Sequence, residues 1–124
     1  MIHMDAIYLI TGGASGLGKA LALSLANKSE FSTKTKLKIC IADVNAKRGQ
    51  ETVAQLRQQN VEAFYQHCDI TRSDDVTALK HAIMDRWSKV DVVINNAGVA
   101  TGGELQSETI EQWQWVFNIN LLGM

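Results

Sequence analysis

Thr11-Gly-Gly-Ala-Ser-Gly-Leu-Gly18 is the stretch on which the fold turns. The apolar run Ala6-Ile-Tyr-Leu-Ile10 leads straight into it, and Lys19-Ala-Leu-Ala-Leu-Ser-Leu-Ala26 continues after it in helix-forming residues. A strand, a glycine turn and a helix therefore meet here. Gly12, Gly16 and Gly18 stand where such a turn must reverse sharply, bring backbone N–H groups close to a pyrophosphate, and let the helix settle against the strand. The helix N-terminus then faces the anion with its free N–H groups. The spacing Gly-x-x-x-Gly-x-Gly differs from the commoner Gly-x-Gly-x-x-Gly dinucleotide loop. An ordinary strand-to-helix loop also uses glycines, so the rest of the chain has to decide.

With 124 residues, 46% hydrophobic and 20% charged, the chain has the composition of one soluble globular domain with a real core. A formal net charge of -1 and the lack of any Lys/Arg cluster argue against nucleic acid or an anionic membrane as the main partner. No apolar run approaches the length of a membrane span. Met1-Ile-His-Met-Asp5 leaves no room for a secretory leader before the first strand, so a cytoplasmic location is expected. Cys40 and Cys68 fall in different predicted strands without Cys-x-x-Cys spacing, which predicts buried, reduced thiols. His67 beside Cys68 and Asp69 has no second cluster to complete a metal site, and none is expected.

Along the chain, Asn27 to Lys36 reads as an exposed polar loop. Leu37-Lys-Ile-Cys-Ile-Ala42 is the second strand, closed by Asp43. A carboxylate at this strand tip is placed to accept hydrogen bonds from an adenosine ribose and to repel the extra phosphate of NADP, so NAD is the expected cofactor. A helix N-cap or loop carboxylate is the other reading of Asp43. Ala46 to Gln59 is an amphipathic helix with Ala46, Gly49, Val53 and Leu56 on one stripe. Val61 to Cys68 is the third strand, ending in Asp69-Ile70-Thr71. Ser73 to Lys89 is a helix with Val76, Leu79, Ile83 and Trp87 aligned, and Asp75, Lys80 and Asp85 between them. Asp91 to Asn95 is apolar on both faces, as a parallel strand covered by helices must be. A last helix from about Glu108 carries Ile110, Trp113, Phe117 and Leu121 at helical spacing. Asn118 shares the polar side with Gln114 and Glu111, whereas Asn120 falls on the apolar side with Val116 and Phe117. A buried amide needs partners, which singles out Asn120.

Four of these stretches together resemble the short-chain dehydrogenase/reductase family: Thr11 to Gly18, Asp69-Ile70, Asn95-Asn96-Ala97-Gly98, and Asn118-Ile-Asn-Leu-Leu-Gly123. With that resemblance the fold expected is a Rossmann-type, doubly wound α/β sheet of parallel strands ordered 3-2-1-4, the first two helices on one face and the next two on the other. The resemblance assigns the cofactor loop to Gly12, Ser15, Gly16, Leu17 and Gly18, and the adenine edge to Asp69 and Ile70. It places Asn96, Ala97 and Gly98 on the cofactor side of the sheet. It makes Asn120 the residue that holds a helix distortion and a water for proton relay. NADP-preferring members carry a basic residue at the second strand tip or before the second loop glycine; here those positions are Asp43 and Ser15. Asp69 capping a turn, and Asn-Asn-Ala-Gly as a plain turn, are the purely structural alternatives.

The activity implied is hydride transfer between NAD and a small-molecule secondary alcohol or ketone. The family's serine and Tyr-x-x-x-Lys are absent, since Tyr8 is followed four positions on by Gly12 and Tyr65 by Asp69. Residues 1–124 therefore read as one dinucleotide-binding domain, C-terminally incomplete. The rival from another class is a non-catalytic nucleotide-binding or assembly module. A fourth strand lacking its next neighbour has an unpaired edge, and so a homo-oligomer is expected.

Overall fold

The computed structural model describes residues 4–28, 35–98 and 109–117. In them β1 (Met4–Thr11), α1 (Gly16–Ala26), β2 (Thr35–Asp43), α2 (Ala46–Gln58), β3 (Glu62–His67), α3 (Ser73–Trp87), β4 (Val92–Ile94) and α4 (Ile110–Phe117) follow one another. The strands form one parallel sheet in the order β3-β2-β1-β4. Given that order, the right-handedness of crossovers fixes the face each helix takes. The chain steps from β1 to β2 to β3 in one direction, which puts α1 and α2 on one face; it then returns past β1 to lay down β4, which puts α3 on the other. The direction reverses between β1 and β4, and a crevice opens there at the C-terminal strand ends.

Side chains alternate across the strands, so two cores form. Ile10, Ile39, Ile41 and Ala63 pack with Ala22, Val53 and Leu56 on the α1/α2 face. Ile7, Leu9, Cys40, Ala42 and Phe64 pack with Leu79 and Ile83 of α3 on the other. Ile39 and Ile41 are fully enclosed, and each such burial contributes about 1.5–3 kcal/mol.

The structure corrects several details. α1 starts at Gly16, inside the glycine stretch, because Ser15 is an extended N-cap with φ -157° and ψ 172°. On α2 the buried positions are Gly49, Thr52, Val53 and Leu56, while Ala46 is exposed; Thr52 can be buried because its hydroxyl donates to Arg48 O at 3.2 Å. On α3, Val76 is 44% exposed. The fourth strand is only three residues long, and two of its apolar residues are not covered: Val92 is 37% and Val93 47% exposed, while Ile94 packs against the α1/α2 core. Ile110 of α4 is exposed too, and none of α4's described side chains is buried.

At the N-terminal end of the sheet, Lys38 joins three strands, its Nζ lying 2.9 Å from Asp5 Oδ2 and 3.3 Å from Glu62 Oε2. Trp87 Nε1 donates to the same Glu62 oxygen at 2.9 Å, tying α3 to β3. The Arg57 guanidinium donates through Nε and Nη2 to Ala63 O, at 3.1 and 2.9 Å, and so caps a carbonyl of the edge strand β3.

The short β4 is anchored by Asp91. Its Oδ2 accepts the Ile7 N–H at 2.8 Å, its own N–H donates to Ile7 O, and Lys89 Nζ lies 3.2 Å from Oδ1. The Ile7 N–H, followed by Lys89, holds this carboxyl below the usual aspartate range. A lowered folded-state value means the stabilisation is present above the ordinary carboxylate pKa and is lost as pH falls through the folded one. Asp91→Asn should therefore flatten the dependence of the denaturant midpoint on pH below about pH 4. An unchanged acid slope would show that Asp91 does not couple β4 to β1.

Candidate functional site

The turn after β1 is built by close approach. The Thr11 hydroxyl accepts the N–H groups of Asn96 and Ala97, both at 3.1 Å, and donates to Ile94 O at 3.4 Å, knitting the ends of β1 and β4 together. Asn96 Nδ2 donates to Gly12 O at 3.2 Å. A Cβ on Gly18 would sit 2.4 Å from Gly12 O and 2.5 Å from Asn96 Nδ2, so α1 rests on the turn more closely than any side chain allows. Gly16 differs: its φ is +55°, and a Cβ there would meet nothing within 4 Å. Glycine serves backbone handedness at Gly16 and contact at Gly18.

Asp43 joins this turn to β2. Its Oδ2 accepts the Ala14 N–H at 3.1 Å and its Oδ1 accepts the Asn45 N–H at 3.0 Å. Asn45, not Asp43, is the N-cap of α2, taking the Arg48 N–H at 3.0 Å. An ionised carboxylate offers about four lone-pair sites, so each Asp43 oxygen keeps acceptor capacity beyond these two bonds. Asp69 is partly a turn former. Its Oδ1 accepts both the hydroxyl and the N–H of Thr71, at 2.6 and 3.0 Å, and the hydroxyl bond leads in holding the carboxyl below its usual range. Asp75 Oδ2 accepts the Asp69 N–H at 2.9 Å, fixing the turn to α3.

One cleft of about 410 Å³ opens at the C-terminal strand ends. Gly12, Ser15, Gly16, Leu17, Asp43, Asp69, Ile70, Asn96, Ala97 and Gly98 all line it. Gly18 is buried behind the wall. Asn120, together with the Asn118 against which it was chosen, lies outside the described residues.

A family model described as short chain dehydrogenase matches residues 6–124. The chain belongs to the short-chain dehydrogenase family. Cyclopentanol dehydrogenase of Comamonas testosteroni is 30% identical to this short-chain dehydrogenase chain over 117 residues, 94% of this chain and 44% of that protein. The crystal structure of a short-chain dehydrogenase/reductase from Burkholderia phymatum in complex with NAD superposes with a TM-score of 0.83 at 33% identity, over 99% of this chain and 42% of that one. The alcohol dehydrogenase from the archaeon Thermococcus sibiricus, complexed with 5-hydroxy-NADP, gives 0.81 at 30% identity, over 96% and 48%. The chain thus spans less than half the length of each of these relatives, and they include both an NAD complex and an NADP-type complex.

Sequence reasoning missed part of this short-chain dehydrogenase site. Ala42, Val44 and Cys68 also line the cleft. Val44 and Leu17 are 60% and 68% exposed, two apolar groups at its rim. Val44 could have been found as the residue directly after the strand-tip carboxylate, and Thr11 as a hydroxyl ending a buried strand. Burial pushes the Cys68 thiol up to about 11 and the Cys40 thiol to about 12, so both are protonated and unreactive near neutral pH. Among the described residues no group of three or more His, Cys, Asp or Glu could hold a metal ion, and no helix is long and apolar enough to cross a membrane.

Proposed function

We propose that the protein carrying this chain is an NAD-dependent oxidoreductase acting between a secondary alcohol and its ketone, and that residues 1–124 are the incomplete dinucleotide-binding domain holding the adenosine half of the cofactor. The observation that carries this reading is Asp43: its carboxylate lines the cleft, is fixed by two backbone N–H groups and keeps acceptor capacity. The neighbouring groups fit the same cofactor. The first-turn N–H groups of α1 have no helical carbonyl to pair with and would hold the pyrophosphate. Ile70 and Asp69 stand where adenine would lie, and Gly12 with Asn96 to Gly98 keeps that side of the cleft free of bulk.

When bound, NAD supplies the hydride acceptor. The residues of this chain bind and orient it; the proton on the substrate oxygen is handled by groups beyond this chain, with Asn120 assigned to the water relay. A non-catalytic module is disfavoured because the relatives named above are dehydrogenases of which this chain matches less than half. A homo-oligomer as the working form of the full-length protein is part of the same proposal.

Titrating both cofactors into the full-length protein tests the reading. NAD should bind at least about tenfold more tightly than NADP, because a fixed carboxylate beside a 2′-phosphate is a like-charge contact. Asp43→Ala should bring the two affinities together. Equal binding of both by the unsubstituted protein would overturn the assignment.

A further inference from the structure

We propose that Tyr65 is a positioning residue for cofactor choice: its hydroxyl, with its ring laid on the bare backbone of Gly49, fixes the strand tip that presents the Asp43 carboxylate. This rests on the reading of Asp43 as the ribose acceptor. Tyr65 stands on β3, two residues before His67, the register partner of Asp43, and is not part of the cleft wall. Its Oη nevertheless donates to Asp43 O at 2.7 Å, and the same carbonyl takes the Cys68 N–H at 3.2 Å. Asp43 is thus held at its carbonyl by Tyr65 and Cys68 and at its carboxylate by Ala14 and Asn45. Three of those four donors are backbone groups that any sequence with this fold would offer. Tyr65 is the one supplied by a side chain.

The ring's position is equally constrained. A Cβ on Gly49 would lie 2.3 Å from Tyr65 Cδ2 and 2.4 Å from Cε2, so α2 offers the ring a flat seat only because Gly49 has no side chain. That seat sets how far along the sheet the hydroxyl reaches. Burial, with the Asp43 charge behind it, raises the phenol's pKa and keeps it a donor across the neutral range. Asp43 ends β2, and Val44 beyond it is exposed. The orientation of the Asp43 carbonyl therefore fixes the last peptide before the chain leaves the sheet. Good hydrogen bonds to hydroxyls are confined to about 2.5–3.0 Å, so a carboxylate that drifts loses them.

The test is Tyr65→Phe in the full-length protein, which removes the hydroxyl and keeps the ring on Gly49. The NAD Kd should rise about 3- to 10-fold, the range of one net hydrogen bond, with NADP binding unchanged, so that the preference narrows. In an Asp43→Ala background the same substitution should leave the NAD Kd unchanged, because there is no carboxylate left to position. Gly49→Ala, which pushes the ring off its seat, should narrow the preference as Tyr65→Phe does. An equal loss in both backgrounds would make Tyr65 merely structural and overturn the proposal. So would a Tyr65→Phe protein with an intact preference for NAD. A parent protein that binds NAD no better than NADP would overturn the reading of Asp43, and this proposal with it.

Discussion

Gly18→Ala should give a protein that has lost cofactor binding and roughly 2–4 kcal/mol of stability, the sum of overpacking and a broken hydrogen bond. The new methyl group would meet Gly12 O at 2.4 Å and Asn96 Nδ2 at 2.5 Å. Neither can yield locally. The carbonyl belongs to the turn, and the amide is the donor that holds that carbonyl. Relief requires α1 to lift from the turn, which moves the first-turn N–H groups away from the place proposed for the pyrophosphate. Gly16→Ala is the contrast for stability: no protein atom lies within 4 Å of its Cβ, so its folding cost is the left-handed backbone alone, about 1–2 kcal/mol, although the methyl group would enter the cleft that Gly16 lines. Denaturant unfolding and NAD titration of the two variants separate the cases. A Gly18→Ala protein that binds NAD normally would show that the turn is not the phosphate seat.

The second large effect is the absence of turnover in the 124-residue chain on its own. General acid/base catalysis contributes about 10²- to 10⁴-fold, and the sequence carries no Tyr-x-x-x-Lys pair to provide it. Both tyrosines are committed elsewhere: Tyr65 donates to Asp43 O, and Tyr8 packs against the α1/α2 core. The purified chain, given NAD and a panel of secondary alcohols, should reduce cofactor no faster than buffer, while the full-length protein turns over at least one of them. Reduction by the bare chain above background would refute the assignment of proton transfer to residues beyond it.

Much of this was legible in the sequence because it depends on short-range pattern and topology. The glycine stretch between an apolar run and a helix and the carboxylates at the strand tips follow from period and turn chemistry, while the 3-2-1-4 order is what the family resemblance implies and crossover handedness then sets the helix faces. Less legible were contacts between residues far apart in the chain. Nothing in the neighbourhood of Thr11 says that its hydroxyl takes two N–H groups from residues 85 and 86 positions further along, just past the neighbouring strand β4. Nothing around Asp43 announces the Ala14 N–H, or around Asp91 the Ile7 N–H. The start of α1 lies earlier than helix propensity suggests, because glycines are poor helix formers, whereas here Gly18 is required by close contact and Gly16 by its positive φ. On α2 a purely apolar stripe chose Ala46 over Thr52, since it took no account of a hydroxyl satisfied by its own helix. The fourth strand was expected to be covered because its residues are apolar on both sides; composition reports what a strand needs to be buried against, not whether that partner lies within the residues at hand.

The Arg57 clamp on Ala63 has a consequence for stoichiometry. A strand adding to β3 would first have to displace two guanidinium bonds, whereas β4 carries no such plug among the described residues. Copies of the bare chain meeting edge to edge would therefore join β4 to β4, and a like-to-like contact is two-fold symmetric. Such a union uses up its own sticky edge. It ends at a pair, with β3 facing outward at both ends, where a sheet open on both sides would polymerise into a fibre.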